Sequence, residues 1–426
     1  MPADGLRVAL RTLGCKVNRS ESDALAEALA TLGIAASADP AGADAIVVNT
    51  CTVTGEADAK ARKEVRRALA ATDGAVIVTG CLAALDADGL RALDPRVRVE
   101  TDRSALPGTV ARLLDAASAG ASTAAGPGSR PLTRTRALVK VQDGCDNRCA
   151  YCIVPDARGA VRSVAADAVV GRVAELHGGG VAEVVLTGVN IGRYTDAGAP
   201  DLAALIQRVA ATGIRRIRVS SIEPPDLDVR LLGALAAAES VAPHLHVPLQ
   251  SGCDRTLSTM RRRYDTAAYA DTLRRARAEM PGLAVTTDVI AGFPGETDAD
   301  FEESVAFITA CGFTKLHVFR YSSREGTPAA ADPAQVDACV KSERAERLRR
   351  LGSELEAAHA RARAGTRATL LVEAGGGVTR GTTGDYLRLV ADVPGAVAGD
   401  LLPVILRASD DGVLRAYHVG RDDRAC

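Results

Sequence analysis

The sequence predicts a mixed α/β protein with an N-terminal parallel α/β domain, a central partial (β/α)6 barrel and a small C-terminal all-β domain. Three observations lead there. The 426 residues exceed what a single hydrophobic core supports, so two or three domains are expected. Short β-branched runs alternate with amphipathic stretches through most of the chain, the rhythm of parallel strands crossed over by helices. Beyond about Gly365 the texture changes to short β-like runs separated by Gly-rich or Asp-Gly turns.

In chain order, strands are expected at Leu6 to Leu13, Asp44 to Thr50 and Gly74 to Gly80, each followed by helix-like sequence, which makes residues 1–116 the first domain. Residues 117–134 are rich in Ala, Gly, Ser and Pro and read as a linker. Six further βα repeats follow, with strands in ALVKVQD, AEVVLTG, IRRIRVSS, HLHVPLQ, LAVTTDVI and TKLHVFRYS. A closed (β/α)8 barrel would need two more, so a partial barrel over 135–363 is expected, with a Rossmann-like sheet as the alternative. The charged stretch from Asp337 to Arg367 is helical in composition and closes this domain. Residues 364–426 form the all-β tail, near the lower size limit for an independent core.

Composition excludes several classes. Hydrophobic residues at 47% and charged residues at 25% rule out a largely disordered chain. Lys and Arg (52) balance Asp and Glu (53), so no overall positive field advertises a nucleic-acid partner, and contact with one must come from local patches. Aromatics at 3% without Trp argue against a broad base-stacking platform. No apolar run of about 18 residues occurs and the N-terminus lacks a secretory pattern, so the expected location is cytoplasmic, with no membrane contact. Ten cysteines are too sparse for a disulfide scaffold, and in a reducing compartment a cluster of them reads as metal-binding or catalytic.

Cys145, Cys149 and Cys152 in GCDNRCAYC supply three thiolates within eight residues, able to face one point. Zinc would want a fourth ligand, and His177 lies far along a helix. A four-iron cluster takes one thiolate per iron, leaving one iron able to bind something else. The N-terminal cysteines are scattered, yet Cys15, Cys51 and Cys81 each directly follow an expected strand. In a parallel sheet such positions share one rim, so a second three-thiolate site is expected there.

The triplet Cys145, Cys149 and Cys152, with aromatic Tyr151 just before its third cysteine, resembles the radical S-adenosylmethionine superfamily. Together with TLGCKVN, NTCTVT, VTGC, LTGVNIGRY, SSIEP, HLHVPLQSG, DVIAGFPGET and REGTPAA, the two triplets resemble the methylthiotransferases across nearly the whole chain. TLGCKVN and NTCTVT look most like the branch that modifies N6-threonylcarbamoyladenosine beside the tRNA anticodon. The resemblance implies a radical S-adenosylmethionine core and a TRAM-like tail. It implies two 4Fe–4S clusters, one on Cys145, Cys149 and Cys152 and an auxiliary one on Cys15, Cys51 and Cys81, with S-adenosyl-L-methionine as cofactor. It implies that a 5′-deoxyadenosyl radical removes hydrogen from C2 of the adenine and that sulfur is delivered at the auxiliary cluster. Gly188 is then expected near the methionine moiety, Glu223 near the ribose and Ile290 near the adenine. The partners implied are the tRNA anticodon loop, an electron donor and a sulfur source.

RNA contact is expected from arginine clusters at Arg261 to Arg263, at Arg274, Arg275 and Arg277, and along Arg347, Arg349, Arg350, Arg361, Arg363 and Arg367, about half of which are expected to be solvated faces paired with acids. GFPGE lacks the phosphate-loop pattern. His244 and His246 alternate on a strand and read as one half-buried face rather than metal ligands. Cys253 stands where serine is expected and reads as an exposed thiol; Cys311, Cys339 and Cys426 read as incidental. Leu82 replaces an expected aromatic after Cys81. Two rival functions remain at this level, methylthiolation of an aspartate in a ribosomal protein and a non-catalytic iron–sulfur RNA-binding protein.

Overall fold

The computed structural model describes residues 6–118, 135–375, 378–409 and 413–418. They divide into two compact units, the first comprising the N-terminal domain with residues 144–160 and 322–327, the second the remainder. The linker expected at 117–134 falls, beyond Ser118, outside the described residues.

The first unit is built on a parallel sheet of five strands, β1 (Arg7–Thr12), β2 (Ala35–Ser37), β3 (Ala45–Thr50), β4 (Ala75–Gly80) and β5 (Val97–Val99), in the order β2-β1-β3-β4-β5. All of β3 is buried, as its AIVVNT sequence requires of a central strand covered on both faces. Helices α1 (Lys16–Thr31), α2 (Gly55–Ala71), α3 (Cys81–Leu85), α4 (Ala87–Arg91) and α5 (Leu106–Ser118) supply that cover. Leu25, Leu29, Val47, Ile77 and Val110 form one core, while Ile46, Val48, Val65, Val78 and Leu82 form the other. Leu82 therefore fills the place of the expected aromatic as an ordinary aliphatic core residue. Thr54 starts α2 by accepting a hydrogen bond from the Ala57 amide, with Glu56 and Asp58 in the positive first turn. The short helix α6 (Val154–Arg158) follows the second cysteine triplet and packs on α3.

In the second unit, β6 (Arg136–Lys140) runs into β7 (Gln142–Asp143), which pairs with β8 (Arg162–Ser163). Strand β6, β9 (Glu183–Thr187) and β10 (Arg216–Val219) form one parallel sheet; β11 (His244–His246), β12 (Ala284–Ala291) and β13 (Lys315–Arg320) form another. A parallel bridge between Ile217 and Val241 joins them. Among the described residues no pairing closes β13 onto β6. The result is the six-stranded open barrel that the repeats predict. Leu245, Val247, Val285, Val289 and Leu316 point to the core shared with α7 (Ala166–Gly178), α8 (Leu202–Ala210), α9 (Val229–Ala237), α10 (Asp254–Thr259), α11 (Thr266–Glu279) and α12 (Asp298–Cys311). By strand alternation His244, His246, Thr286, Asp288, Ile290 and His317 share the opposite face.

The long helix α13 (Ala338–Arg363) leads into a closed five-stranded barrel of β14 (Arg367–Ala374), β15 (Thr379–Thr383), β16 (Arg388–Asp392), β17 (Leu401–Ala408) and β18 (Leu414–His418). Its own core is Leu370, Val372, Leu389, Val404, Leu406 and Ala416. A buried ionic cluster seats it on the open barrel. Glu183, with no exposed side-chain surface, accepts from Arg216 at 2.5 Å and Arg218 at 2.9 Å and lies 3.4 Å from Arg136. These arginines outweigh burial and hold the Glu183 carboxyl below its ordinary range. The remaining guanidinium groups donate to main-chain oxygens of the tail: Arg216 to Thr369 and Thr382, Arg218 to Thr383 and Gly384. Tyr386 lays its ring 3.9 Å from the Arg218 guanidinium and meets His244 edge-on.

Candidate functional site

Three adjacent parallel strands deliver the N-terminal cysteines. Cys15 caps α1 after β1, Cys51 immediately follows β3, and Cys81 opens α3 directly after Gly80 of β4. Since β1, β3 and β4 are neighbours, the three thiols gather at one carboxyl rim, with Cys51 and Cys81 buried and Cys15 exposed. Gly14 adopts φ +95°, and a Cβ there would lie 2.6 Å from Cys51 Cβ and 2.8 Å from Cys51 Sγ. Only glycine both turns the chain and leaves Cys51 its place.

Asn18 pins this rim. Its Nδ2 donates to the carbonyls of Leu13 and Thr50, both at 2.8 Å, tying the ends of β1 and β3 together. Asn49 Nδ2 returns a bond to the Asn18 carbonyl at 2.9 Å. Beyond Cys51, Thr52 donates to Asp58 at 2.7 Å and accepts from Arg324 at 2.6 Å, while Arg324 also pairs with Asp58 at 2.7 Å. The Gly55 amide donates to Ser322, so both serine and arginine of the SSREGT segment brace the loop carrying Cys51.

The second triplet lies in the same unit. The Cys145 amide donates to the Gly159 carbonyl at 3.2 Å, closing the loop at its base, and the Cys152 amide donates to the Cys149 carbonyl at 3.1 Å. Cys149 is buried; Cys145 and Cys152 are half-buried. Tyr151, between them in sequence, is half-buried. All six of these cysteines are free thiols. From the C-terminal turn of α6, Arg158 reaches the first triplet: its Nε donates to Cys81 Sγ at 3.2 Å, its Nη2 to Asn18 Oδ1, and its Nη1 pairs with Glu21 at 3.0 Å.

Burial pushes the Cys51 thiol up, and the nearby Cys81 and Cys15 thiols push it further. Burial also raises Cys81, against the pull of the Arg158 guanidinium. Crowded thiols this reluctant to ionise become thiolates readily when iron shares their charge. The donor set, three cysteines at one rim and three more in one short loop, could hold iron–sulfur centres.

In the second unit, Gly188 directly follows β9, and a Cβ there would meet Gln142 Oε1 at 2.9 Å, so two segments approach as closely as glycine permits. Glu223 lies beyond the end of β10 and is ion-paired with Arg262, whose guanidinium also donates to Tyr264 Oη at 3.0 Å. Burial pushes the Glu223 carboxyl up despite Arg262. Ile290, near the end of β12, is half-buried and bonded through its amide to the Gln250 carbonyl at 2.9 Å. On the same face of the sheet, His246 Nε2 lies 3.2 Å from Asp288 Oδ2 and His317 Nδ1 lies 3.6 Å from Asp288 Oδ1. The carboxylate sits between two imidazoles, while Thr286 Oγ1 bridges His244 and His246.

The comparisons agree with this geometry. Residues 139–308 match the Radical SAM superfamily, and residues 7–100 match a family described as "Uncharacterized protein family UPF0004". Over 373 residues the chain is 38% identical to "Threonylcarbamoyladenosine tRNA methylthiotransferase MtaB" of Bacillus subtilis, spanning 82% of this chain and 80% of that protein. The chain belongs to the radical SAM methylthiotransferase family. It is also 35% identical to "tRNA-2-methylthio-N(6)-dimethylallyladenosine synthase" of Sorangium cellulosum, spanning 95% of this chain and 90% of that one. Among solved structures, the radical S-adenosylmethionine methyltransferase TsrM of Kitasatospora setae superposes with a TM-score of 0.55 at 16% identity over 76% of this chain and 77% of that chain, a likeness of fold.

Two expectations need correction in this methylthiotransferase. Arg262 is not an RNA-facing side chain: it is 3% exposed and spent on Glu223, because the MRRRY turn, with Arg261 at φ +58°, folds the middle arginine inward. Cys253 is not exposed either. It is buried and directs Sγ at Asp300 Oδ1, 3.4 Å away. Of the other arginines, Arg274 and Arg275 pair with Asp271, Arg347 with Glu302, Arg349 with Glu346 and Arg363 with Asp385, and Arg277 donates to the Cys311 and Gly312 carbonyls. Arg261, Arg263, Arg350, Arg361 and Arg367 are exposed. Sequence reasoning passed over Asn18, Glu21, Arg158 and Arg324. Asn18 and Arg324 lie inside TLGCKVN and REGTPAA, where the signal was present as motif without a role, and Arg158 lies six residues beyond Cys152.

Proposed function

We propose that this chain installs a methylthio group at C2 of N6-threonylcarbamoyladenosine next to the anticodon of tRNA. The observation that carries the reading is the gathering of Cys15, Cys51 and Cys81 at one sheet rim, in the same compact unit as the loop of Cys145, Cys149 and Cys152. Cys145, Cys149 and Cys152 would hold one 4Fe–4S cluster together with S-adenosyl-L-methionine, and Cys15, Cys51 and Cys81 the auxiliary one. When bound, these groups supply the one-electron and sulfur chemistry that an inert aromatic C–H bond demands and that side-chain acids and bases do not provide.

The chain's own residues then bind, orient and shield. Asn18 fixes the spacing of the strand ends, and burial of Cys51, Cys81 and Cys149 keeps water from the sulfur atoms. Gly188 would allow close backbone approach to the methionine moiety, with Glu223 toward the ribose, Ile290 toward the adenine and Tyr151 beside the cluster of Cys145, Cys149 and Cys152. Exposed Arg261, Arg350 and Arg361 offer guanidinium groups to the phosphates of the anticodon loop, whose bases splay outward without melting a helix. An electron donor and a sulfur source complete the reaction, in the cytoplasm. Among the described residues no helix is long and apolar enough to cross a membrane.

Mass spectrometry of tRNA nucleosides from cells lacking the protein tests the substrate. The methylthio derivative of threonylcarbamoyladenosine should vanish while its precursor persists. Loss of the methylthio group from dimethylallyladenosine instead would move the substrate to the other tRNA branch, and unchanged nucleosides would defeat the tRNA reading. Cys149→Ala should abolish cleavage of S-adenosyl-L-methionine after anaerobic reconstitution. Cys51→Ala should leave cleavage intact and stop sulfur insertion; full thiolation by that variant would show that Cys51 holds no auxiliary cluster.

A further inference from the structure

We propose that Arg158 is a positioning residue that sets the reduction potential of the auxiliary cluster through its hydrogen bond to Cys81. The inference rests on the two-cluster reading above. Arg158 is buried, its side chain 2% exposed, and its guanidinium is fully directed: Nε to Cys81 Sγ at 3.2 Å, Nη2 to Asn18 Oδ1, and Nη1 and Nη2 to the Glu21 carboxylate at 3.0 and 3.2 Å. Glu21 is held in turn by Arg103 at 3.2 Å. The fork therefore cannot swing, and its Nε–H stays aimed at one sulfur.

Such a contact has a definite electronic consequence. A charged N–H donor draws density from a cysteine sulfur and stabilises the cluster state carrying the extra electron, so the potential rises. Low polarisability around the site strengthens the effect, because Cys81, Asn18 and Arg158 are all buried. Cys51 takes main-chain N–H contacts from Thr52 and Val53 instead of a charged donor, so the thiolates would be unequal. The lever is also carried by the other triplet's own loop. Arg158 ends the helix that begins two residues after Cys152, and that helix packs on α3, which Cys81 begins. The loop that would hold one cluster thus places the charge that tunes the other.

The test compares wild type with Arg158→Met, Arg158→Lys and the double variant Arg158→Met/Glu21→Gln, which removes the carboxylate left behind. Each is reconstituted anaerobically, its iron counted, and its auxiliary centre followed by electron paramagnetic resonance in a redox titration, with Cys149→Ala as background so that a single centre is read. Arg158→Met should shift the midpoint to more negative potential, with about a tenfold lower ratio of reduced to oxidised centre at fixed potential, a shift of ~59 mV for a one-electron couple. Arg158→Lys, keeping charge but not the fork, should fall between. The double variant should also lie below wild type, by no more than Arg158→Met, and it decides the matter if the single variant loses iron through misfolding. Equal midpoints in wild type and these variants, at equal iron content, overturn the role of Arg158. Wild type holding about four rather than about eight irons per chain overturns the two-cluster reading itself, a failure distinguishable from the first.

Discussion

Cys51 shows how narrowly one thiol can be framed. Its neighbours are a glycine that leaves no room for a methyl group, an asparagine that binds the carbonyl just before it, and a threonine just after it held by Asp58 and Arg324. Gly14→Ala should therefore displace Cys51 and halve the iron retained after reconstitution, while cofactor cleavage at the other triplet persists; full iron content in that variant would mean the rim tolerates movement. Asn18→Ala removes both strand-end bonds of a fully buried amide and should cost about 2–3 kcal/mol of unfolding free energy, read from denaturant titration, besides loosening iron. At this scale the sequence is legible where chemistry is local. Three thiolates within eight residues declare themselves, and so do cysteines at strand ends. Arg158 does not, because its value depends on a sulfur 77 positions away that only the packed sheet brings near. Cys253 misleads for the same reason, since the Asp300 that receives it is 47 residues on.

Elements long enough to carry a period were readable, and those too short were not. β3 and β4 announce themselves by buried β-branched runs, and α13 by its charged helical composition. β2 and β5 have three residues each, below any detectable alternation, and β15 reads TRGTT without an apolar face. Helix α13 also shows how an element docks the tail. Its His359 and Arg363 both contact Asp385, at 3.0 and 2.8 Å, and together with Thr383 they hold that carboxyl well below the usual carboxylate range despite burial. A depressed folded-state value means the contribution is present above the unfolded pKa of about 4 and is lost as pH falls toward the lower folded value. Asp385→Asn should lower the thermal midpoint near neutral pH and show a smaller further drop between pH 6 and pH 3 than wild type. An equal acid-induced drop in both proteins would show that Asp385 is not the group being titrated.

Across the whole molecule, the order of parts was legible because each has its own period: a parallel α/β rhythm, six further βα repeats, then short strands with Gly-rich turns. The seating of the tail was not legible, since Arg216 and Arg218 alternate on a strand as any pair of charged residues does. Arg218→Ala should remove two bonds to the tail backbone and leave Glu183 under-compensated, costing about 2–4 kcal/mol and speeding amide exchange through β15, with iron content unchanged. Unaltered exchange there would mean the tail is held by its other contacts.

The hydrogen bonds that Arg216 and Arg218 give the tail fall on carbonyl oxygens at Thr369, Thr382, Thr383 and Gly384, while Arg218 also lies against the Tyr386 ring. Those hydrogen bonds are indifferent to which amino acids present the carbonyls, whereas Tyr386, Asp385 and Glu373 add contacts that depend on the side chain. Away from those three residues the exterior of this small barrel is free to diversify without renegotiating its attachment, and a grafted barrel that keeps them and the same backbone course would seat in the same socket.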